Sequence, residues 1–470
     1  MKSAKAGRTK KPGHGKEGKG TKMNHTSKRK GFGEEFFKIA IPVALQGLLQ
    51  SSFSMVDQIM VGQLGETSIA GIGLAGKFSS LYSVLLSAIA AVAGIMIAQY
   101  IGKEDEREVA RSFYLNLVFG IALAAVFLGI STLAARPVMG IYTEDEATRD
   151  QAVIYLSIVA IGYLPRAFSM LYATLLRCRK HASAPMYATL FNAVVDTLLS
   201  YALIFGKLGC PQMGVAGAAV ATAIAQTLEA VIILGLYVHA KRKDGFRTPF
   251  VLSMTGEKWA QYGAILAPIL ICEFFWSLGE NVYAVIYGHL GTKPCAAMTL
   301  ISPMVMLFMG LMGGVSQAAG ILTGKRLGAN QREEAYRDAR KMMLYGLAGS
   351  LVLSALMILL GGFYVQIFQV DAEVQSTAYE LLVVFAIVAP VKVQNMILGG
   401  GIIRSGGKTN YVMAIDLIGT WVFGVPLGLL SAFVFGLPIA PVYFILSMEE
   451  CVRLLISLIV FRRRKWMQAL

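Results

Sequence analysis

The hydrophobic positions of this chain form long uninterrupted runs, and short polar segments separate them. Runs long enough to cross a bilayer, which takes about 20 helical residues, recur twelve times. The first six lie near residues 36–61, 70–100, 113–135, 151–176, 185–206 and 213–239, and the second six near 260–288, 295–323, 339–366, 376–403, 411–434 and 439–461. This pattern predicts an all-α polytopic membrane protein with twelve transmembrane helices.

Residues that break helices or form loops recur at a constant distance of 226 positions. The matched pairs are Pro42 with Pro268, Gly62 with Gly288, Gly65 with Gly291, Gly102 with Gly328, Arg111 with Arg337 and Asp145 with Asp371. A constant offset through several loops indicates a duplicated unit. Because each copy has an even number of spans, both copies enter the membrane from the same side. The sequence therefore predicts two six-helix lobes related by a parallel internal repeat, which face each other across a cleft.

Composition agrees with a membrane protein, since 56% of the residues are hydrophobic and only 15% are charged. The net charge of +15 does not indicate nucleic-acid binding, because eleven Lys and Arg fall within residues 1–31. A segment so rich in Gly and Lys cannot bury enough surface to fold. We assign residues 1–33 to a disordered basic cytoplasmic tail, 34–240 to an N-lobe, 241–259 to a cytoplasmic inter-lobe linker, and 260–470 to a C-lobe that ends in a basic tail.

Charge in the loops predicts the orientation in the membrane. Every other loop is basic, whereas the intervening loops are acidic or nearly neutral. The basic loops are Lys103 to Arg111, Arg177 to Lys180, Lys241 to Arg247, Lys325 to Lys341, Arg404 to Lys408 and Arg462 to Lys465. Basic loops stay in the cytoplasm, so both termini are expected there. The five cysteines are scattered along the chain and imply neither a disulfide framework nor a metal site.

Polar side chains follow one face of two equivalent spans. The first span carries Gln46, Gln50, Ser54 and Asp57, and the seventh carries Glu273, Trp276, Glu280 and Tyr283. Residues spaced by three or four lie on one side of a helix, and the offset of 226 makes these two stripes the same side of matching helices. Because a charge at bilayer depth costs about 2.5–3.5 kcal/mol, we expect both stripes to line the cleft.

Further polar residues in the fifth and sixth spans predict a site for a small cation. These residues are Asn192, Asp196, Thr222, Gln226 and Glu229. Gathered near Asp57, their carboxylate, carboxamide and hydroxyl groups form a set of hard oxygen ligands that suits a proton or a sodium ion. The alternative is that the carboxylates only pair with basic residues and hold helices together.

Two basic residues are candidates for that pairing. Arg166 and Lys392 lie one repeat apart in the fourth and tenth spans, and we expect them to act as counter-charges. Glu449 and Arg453, four residues apart in the last span, are expected to form a local pair. Pro42 and Pro268 remove a backbone hydrogen bond from the first and seventh spans, so they are candidate hinges.

An organic cation would find both negative charge and aromatic rings on the seventh span. Glu273 and Glu280 alternate there with aromatic side chains, and cation–π attraction contributes about 0.5–2 kcal/mol. The candidate substrate-binding residues are Gln50, Ser54, Glu273, Trp276, Glu280, Tyr283 and Tyr287. The alternative for the aromatic residues is ordinary core packing.

Three segments of the N-terminal half resemble a known family. They are Val56 to Gly65 behind Pro42, Asn192 to Asp196, and Gly214 to Thr222, and they resemble the multidrug and toxic compound extrusion (MATE) transporters. The resemblance implies a V-shaped pair of lobes in the bacterial cytoplasmic membrane that exports cationic or amphipathic drugs in exchange for protons or sodium ions, with no other cofactor. It also implies that Asp57, Asn192, Asp196 and Thr222 form a cation site in the N-lobe, and we expect a monomer.

The chain departs from the family in its second half. A glutamate that one sodium-coupled branch carries on the seventh span falls on Trp276, one turn from both Glu273 and Glu280. A C-lobe ion site therefore has no direct counterpart at that position.

Two other classes of function fit the sequence less well. A flippase for lipid-linked saccharides, from the same superfamily, is expected to use a cationic cleft for the diphosphate, whereas the predicted cleft is acidic. A membrane-embedded enzyme needs a nucleophile or metal constellation, and the five histidines are spread over the tail and loop ends without a His-Glu-x-x-His motif. The sequence therefore favours a transporter over an enzyme.

Overall fold

A computed structural model describes residues 32–61, 63–246, 248–251, 256–367 and 371–468. The helices of the first half are α1 (Phe32–Val61), α2 (Glu66–Gly102), α3 (Glu106–Leu133), α4 (Ala135–Tyr142), α5 (Glu146–Val159), α6 (Tyr163–Cys178), α7 (Ser183–Phe205) and α8 (Val215–Asp244). Those of the second half are α9 (Gly256–His289), α10 (Thr292–Gly328), α11 (Arg332–Gln366), α12 (Ala372–Asn395), α13 (Thr409–Leu417), α14 (Val425–Leu429), α15 (Ile439–Ser447) and α16 (Glu449–Arg462). The predicted basic tail up to residue 31, and Gly62 of the repeat, lie outside the described residues.

The predicted all-α membrane architecture is confirmed. Within the described ranges, 11 helices are long and apolar enough to cross a membrane. A 3-10 turn at Ala160–Gly162 joins α5 and α6 into the fourth of these spans. The twelfth predicted span corresponds to α15 and α16, which meet at Met448, so neither reaches spanning length alone.

Several helices begin earlier than the predicted spans, because polar residues before the apolar segment are also helical. Asp105 and Asp145 precede α3 and α5, and each carboxylate accepts a hydrogen bond from a backbone N–H in the first turn, at 3.1 and 2.8 Å. Such caps satisfy N–H groups that have no partner within the helix. Hydrogen bonds from Thr148 also lower the pKa of Asp145. The caps begin α3 and α5 well before their apolar segments start.

The lobes meet where small residues let backbones approach. A Cβ atom built on Gly310 of α10 would lie 3.0 Å from the Gly47 carbonyl oxygen of α1. One built on Gly314 would lie 2.2 Å from the Ala44 nitrogen. Close approach of small residues is a common way to join helices in lipid. Helix α1 therefore packs against the C-lobe as well as against its own lobe.

A second contact closes the cleft at the end that carries the basic loops, called here the basic end. Cβ atoms built on Gly102 and Gly328 would lie 2.0 Å from the Lys325 carbonyl oxygen and 1.8 Å from the Gln99 carbonyl oxygen. The Gln99 side chain also donates a hydrogen bond of 2.7 Å to the Ser405 carbonyl oxygen of the other lobe. The repeated glycines of the sequence are thus the points where α2 and α10 touch.

Replacing Gly328 with alanine should open this end. We expect the substitution to destabilise the closed arrangement by about 1–3 kcal/mol, the usual cost of overpacking, because backbone atoms of Gln99 occupy the space. Cys178, which is buried beside Lys325, should then react faster with a water-soluble maleimide in a variant whose other cysteines are serine.

Gly129→Ala is the matched control, since nothing lies within 4 Å of the added Cβ. It should leave the labelling rate of Cys178 unchanged, and its better helix propensity should slightly stabilise α3. Equal labelling in Gly328→Ala and Gly129→Ala would show that this contact does not control access.

The second lobe contains wide helical turns that the first lobe lacks. Met396–Ile403 and Ile418–Gly424 are π-helical, whereas the segments 226 positions earlier belong to the α-helices α6 and α7. A third π-helical segment spans Leu430–Val434. π-Helical turns are rare and frequently occur at functional sites. The two copies have therefore diverged in helix geometry within matching spans.

Candidate functional site

The predicted cation residues come together on three helices of the N-lobe. Helix α1 supplies Asp57, α7 supplies Asn192 and Asp196, and α8 supplies Thr222. The Asp196 side chain interacts with those of Asp57 and Thr222. Asn192 lies one turn before Asp196 on α7, as the spacing predicts. Tyr155 of α5 is near enough to both carboxylates to interact electrostatically with them.

Several buried oxygen atoms on α1, α7 and α8 have no hydrogen-bond partner among the described residues. Oδ1 of Asp57, Asn192 and Asp196, and Oε1 of Gln226, are all buried without a hydrogen-bond partner. Gln226 approaches the backbone, since a Cβ atom built on Gly162 would lie 2.3 Å from its Oε1. Buried polar atoms are nearly always paired. Four bare acceptors on three helices can accept a proton or ligate a small cation.

The two predicted counter-charges behave differently. Lys392 Nζ lies 3.7 Å from Glu450 Oε1 and so forms an ion pair in the C-lobe. Arg166 interacts electrostatically with Glu229. Glu229 accepts a hydrogen bond of 3.1 Å from Thr189, so it belongs to a second polar group of the N-lobe. The structure thus brings Lys392 to a carboxylate that the sequence had not singled out.

The predicted substrate residues of the seventh span divide into separate environments. Glu280, Tyr283 and Tyr287 line a C-lobe cavity of about 230 Å³ together with Lys392. Glu273 lies on another side of α9 and pairs with Arg404 at 3.3 Å. Trp276 is 44% exposed and does not line that cavity. The acidic and aromatic residues therefore do not form a single surface.

Two groups of predicted residues remain, the other candidate substrate residues and the candidate hinge prolines. Gln50 and Ser54 are exposed on α1. Both α1 and α9 continue as helices through Pro42 and Pro268, and a hinge role for these prolines stays a prediction.

A network of buried charges stabilises the C-lobe next to its cavity. Arg453 lies 3.6 Å from Glu449 and 3.9 Å from both Glu450 and Asp416. The pair of Arg453 with Glu449 confirms the predicted local pair. Tyr283 donates a hydrogen bond of 2.5 Å to Glu449. Because Tyr283 lies one repeat after Asp57, the C-lobe has an ion-pair network where the N-lobe has two neighbouring carboxylates.

A larger cavity of about 410 Å³ lies between the lobes. Helices α2 and α6 line it on one side, and α10 and the π-helical segment that follows α12 line it on the other. Arg177 and Arg404 both line this inter-lobe cavity. The sequence analysis grouped Arg177 and Arg404 with the basic loops. A signal for their role was present, because each is the first basic residue after an apolar span and the two lie at nearly matching positions in the repeat.

Comparisons with known proteins agree with this architecture. The sequence profile of the MatE family matches residues 42–202 and 268–430. A Thermotoga maritima protein described as a probable multidrug resistance protein NorM is 26% identical over 447 residues, covering 92% of this chain and 93% of that protein. The uncharacterized transporter YisQ of Bacillus subtilis is 21% identical over 432 residues, with 92% and 94% covered.

A solved structure has the same fold. The Vibrio cholerae MATE transporter VcmN in the bent form superposes with a TM-score of 0.82 at 17% sequence identity, covering 93% of this chain and 98% of the other. The two stretches matched by the family profile coincide with the two copies of the repeat.

Proposed function

Since the chain belongs to the MatE family, and is therefore a multi-pass membrane transporter and not an enzyme, we propose that it is a secondary antiporter. It exports amphipathic organic compounds, cationic ones among them, in exchange for protons or sodium ions by alternating access. Multidrug resistance proteins among its relatives support this class of substrate.

One observation carries the proposal: the neighbouring carboxylates of Asp57 and Asp196 each have a buried oxygen atom without a hydrogen-bond partner among the described residues. Two neighbouring carboxylates in a nonpolar setting repel each other. A proton or sodium ion bound between them relieves that repulsion and satisfies the bare acceptors. Because these residues belong to α1 and α7, binding changes the packing of α1 against its own lobe.

Movement of α1 connects this ion site to the cleft. Helix α1 also packs on α10 of the other lobe at Gly47 and Gly310. A change in its packing therefore acts on the contact between the lobes. One charge that moves through 100 mV releases about 2.3 kcal/mol, and this energy is available to drive the switch.

Orientation and assembly follow from the same proposal. The basic loops support a cytoplasmic location for the closed end of the cleft and for both termini. The membrane that contains the protein is then the bacterial cytoplasmic membrane. The two lobes of a single chain form the cleft, so a monomer suffices for transport.

Export of tetramethylrhodamine, an amphipathic dye with a cationic chromophore and a carboxylate, from proteoliposomes under separately imposed ion gradients tests the function. We expect a proton gradient or a sodium gradient that drives ions in the direction opposite to export to accelerate export several-fold. The reference is the rate at equal ion concentrations on the two sides of the membrane. The ion that gives the acceleration identifies the coupling ion. No acceleration by either gradient would refute antiport.

The alternative, a flippase for lipid-linked saccharides, gains one supporting observation from the two arginines of the inter-lobe cavity. That cavity of about 410 Å³ matches drug-sized ligands, which occupy about 300–1,000 Å³. A lipid-linked saccharide is larger than such a ligand, so export of a small compound is favoured. Ion-independent translocation of a lipid diphosphate by the same proteoliposomes would reverse this order.

A further inference from the structure

The inter-lobe cavity has a positive lining. Among the described residues that line it, Arg177 and Arg404 are charged and none is a carboxylate. One arginine comes from each lobe, and Ser316 and Gln317 of α10 add polar groups. A purely cationic compound would therefore meet two guanidinium groups and no negative charge.

Both guanidinium groups retain unused hydrogen-bonding capacity. The Nε atoms of Arg177 and Arg404 are buried and have no hydrogen-bond partner. Arg177 Nη2 donates only to neutral Gln46, at 2.9 Å. Arg404 pairs with Glu273, which lies outside the cavity lining and neutralises part of its charge. Glu229 also interacts electrostatically with Arg177, and Asp416 with Arg404. All these carboxylates lie outside the cavity lining, which itself keeps a positive charge and two Nε donors without a partner.

A second cavity of about 500 Å³ leads from the basic end toward the first one. Cys178 lines both cavities. Arg179, Lys180 and Lys325 line the second cavity with Glu106 and Asp244, and the Lys325 ammonium is buried without a hydrogen-bond partner. Three of the described lining residues are basic and two are acidic, so this second cavity carries a small excess of positive charge.

We propose that the inter-lobe cavity binds the transported compound through an acidic group, a carboxylate held by Arg177 and Arg404. The inference rests on the proposed export function and specifies its substrates as amphipathic compounds, zwitterionic or anionic, that carry a carboxylate. The planar fork of N–H donors in arginine matches a carboxylate, and two such residues fix its orientation.

Helix α1 links this cavity to the ion site. It carries Asp57 and also Gln46, whose side chain holds Arg177 and donates a hydrogen bond of 2.8 Å to Thr189. A shift of α1 on ion binding therefore changes the support of Arg177. Release of the carboxylate is thus tied to entry of the ion.

Binding of two matched dyes tests the proposal. Tetramethylrhodamine carries a free carboxylate, and its methyl ester has the same chromophore without that charge. Fluorescence anisotropy with the purified full-length protein should show the acid binding about 10- to 100-fold more tightly than the ester, the range for a charge-assisted hydrogen bond. Arg177→Gln and Arg404→Gln should each reduce this preference about tenfold or more.

Arg340→Gln is the matched control, because Arg340 is exposed on α11 and lines neither cavity. It should keep the wild-type preference, and Arg177→Lys should keep part of it. Equal binding of acid and ester by the wild type, or an unchanged preference in both glutamine variants, would overturn the proposal. If an ion gradient drives export of the ester but not of the acid, the carboxylate proposal is wrong and the antiporter function stands. If neither dye is exported, both the carboxylate proposal and the antiporter function lose their support.

Discussion

Asp196→Asn and Asp57→Asn are expected to remove ion-driven export. Asparagine keeps the size of the side chain but can neither take up a proton nor supply a negative charge. The loss of one charged ligand costs about 1.5–3 kcal/mol, so export should fall about tenfold to a hundredfold. The measurement is dye export from proteoliposomes under the gradient that drives the wild type.

Stability separates a coupling defect from misfolding. Each substitution removes one of two carboxylates that interact in a buried cluster, so the thermal unfolding midpoint should stay the same or rise. Asp150→Asn is the control, because Asp150 is exposed and pairs only with Arg136 at 3.4 Å. Wild-type export by Asp196→Asn at saturating gradient would remove that residue from the coupling site.

Arg453→Met is expected to be the most destabilising substitution. It removes the shared cation of Glu449, Glu450 and Asp416, and of these three only Glu450 keeps an ion pair among the described residues, with Lys392. Removal of one partner from a buried ion pair costs about 3–5 kcal/mol, because the remaining charges stay buried and repel each other. The free energy of unfolding of the purified protein in detergent measures the effect.

The matched control is Arg462→Met at the exposed end of the same helix, which should change stability by less than about 0.5 kcal/mol. If the two variants unfold alike, the ion-pair network does not stabilise the C-lobe. Retained ion binding in a refolded Arg453→Met protein would further show that the N-lobe site is independent of this network.

Most of the fold was predictable from the sequence because the chain spans a lipid bilayer. Hydrocarbon offers no hydrogen bonds to the backbone, so each long apolar run must be a helix. The glycines repeated 226 positions apart predicted the duplication, and two of them, Gly102 and Gly328, prove to be contacts between lobes. The break at Met448 coincides with Glu449 and Glu450, which directly follow it, but the twelfth span was predicted as one continuous helix across these residues.

The candidate site was predictable only where its residues share a helical face. Asn192 and Asp196 lie four residues apart, so their common direction follows from helix geometry. The pairs of Arg453 with Asp416 and of Arg404 with Glu273 join helices that are distant in sequence, and no local pattern reports them. Arg177 was taken for a loop residue because the sequence does not mark where α6 ends.

The π-helical turns of the C-lobe record how the two copies diverged. Before the π-helical segment Met396–Ile403, Lys392 lies 226 positions after its counterpart Arg166 in the first half. Directly after that segment, Arg404 lies 227 positions after its counterpart Arg177. The profile matches start at 42 and 268 but end at 202 and 430, so the offset grows from 226 to 228. A π turn accommodates one added residue without breaking the helix. The two halves are therefore no longer exact copies beyond Met396–Ile403, and an offset of 226 does not identify equivalent residues there.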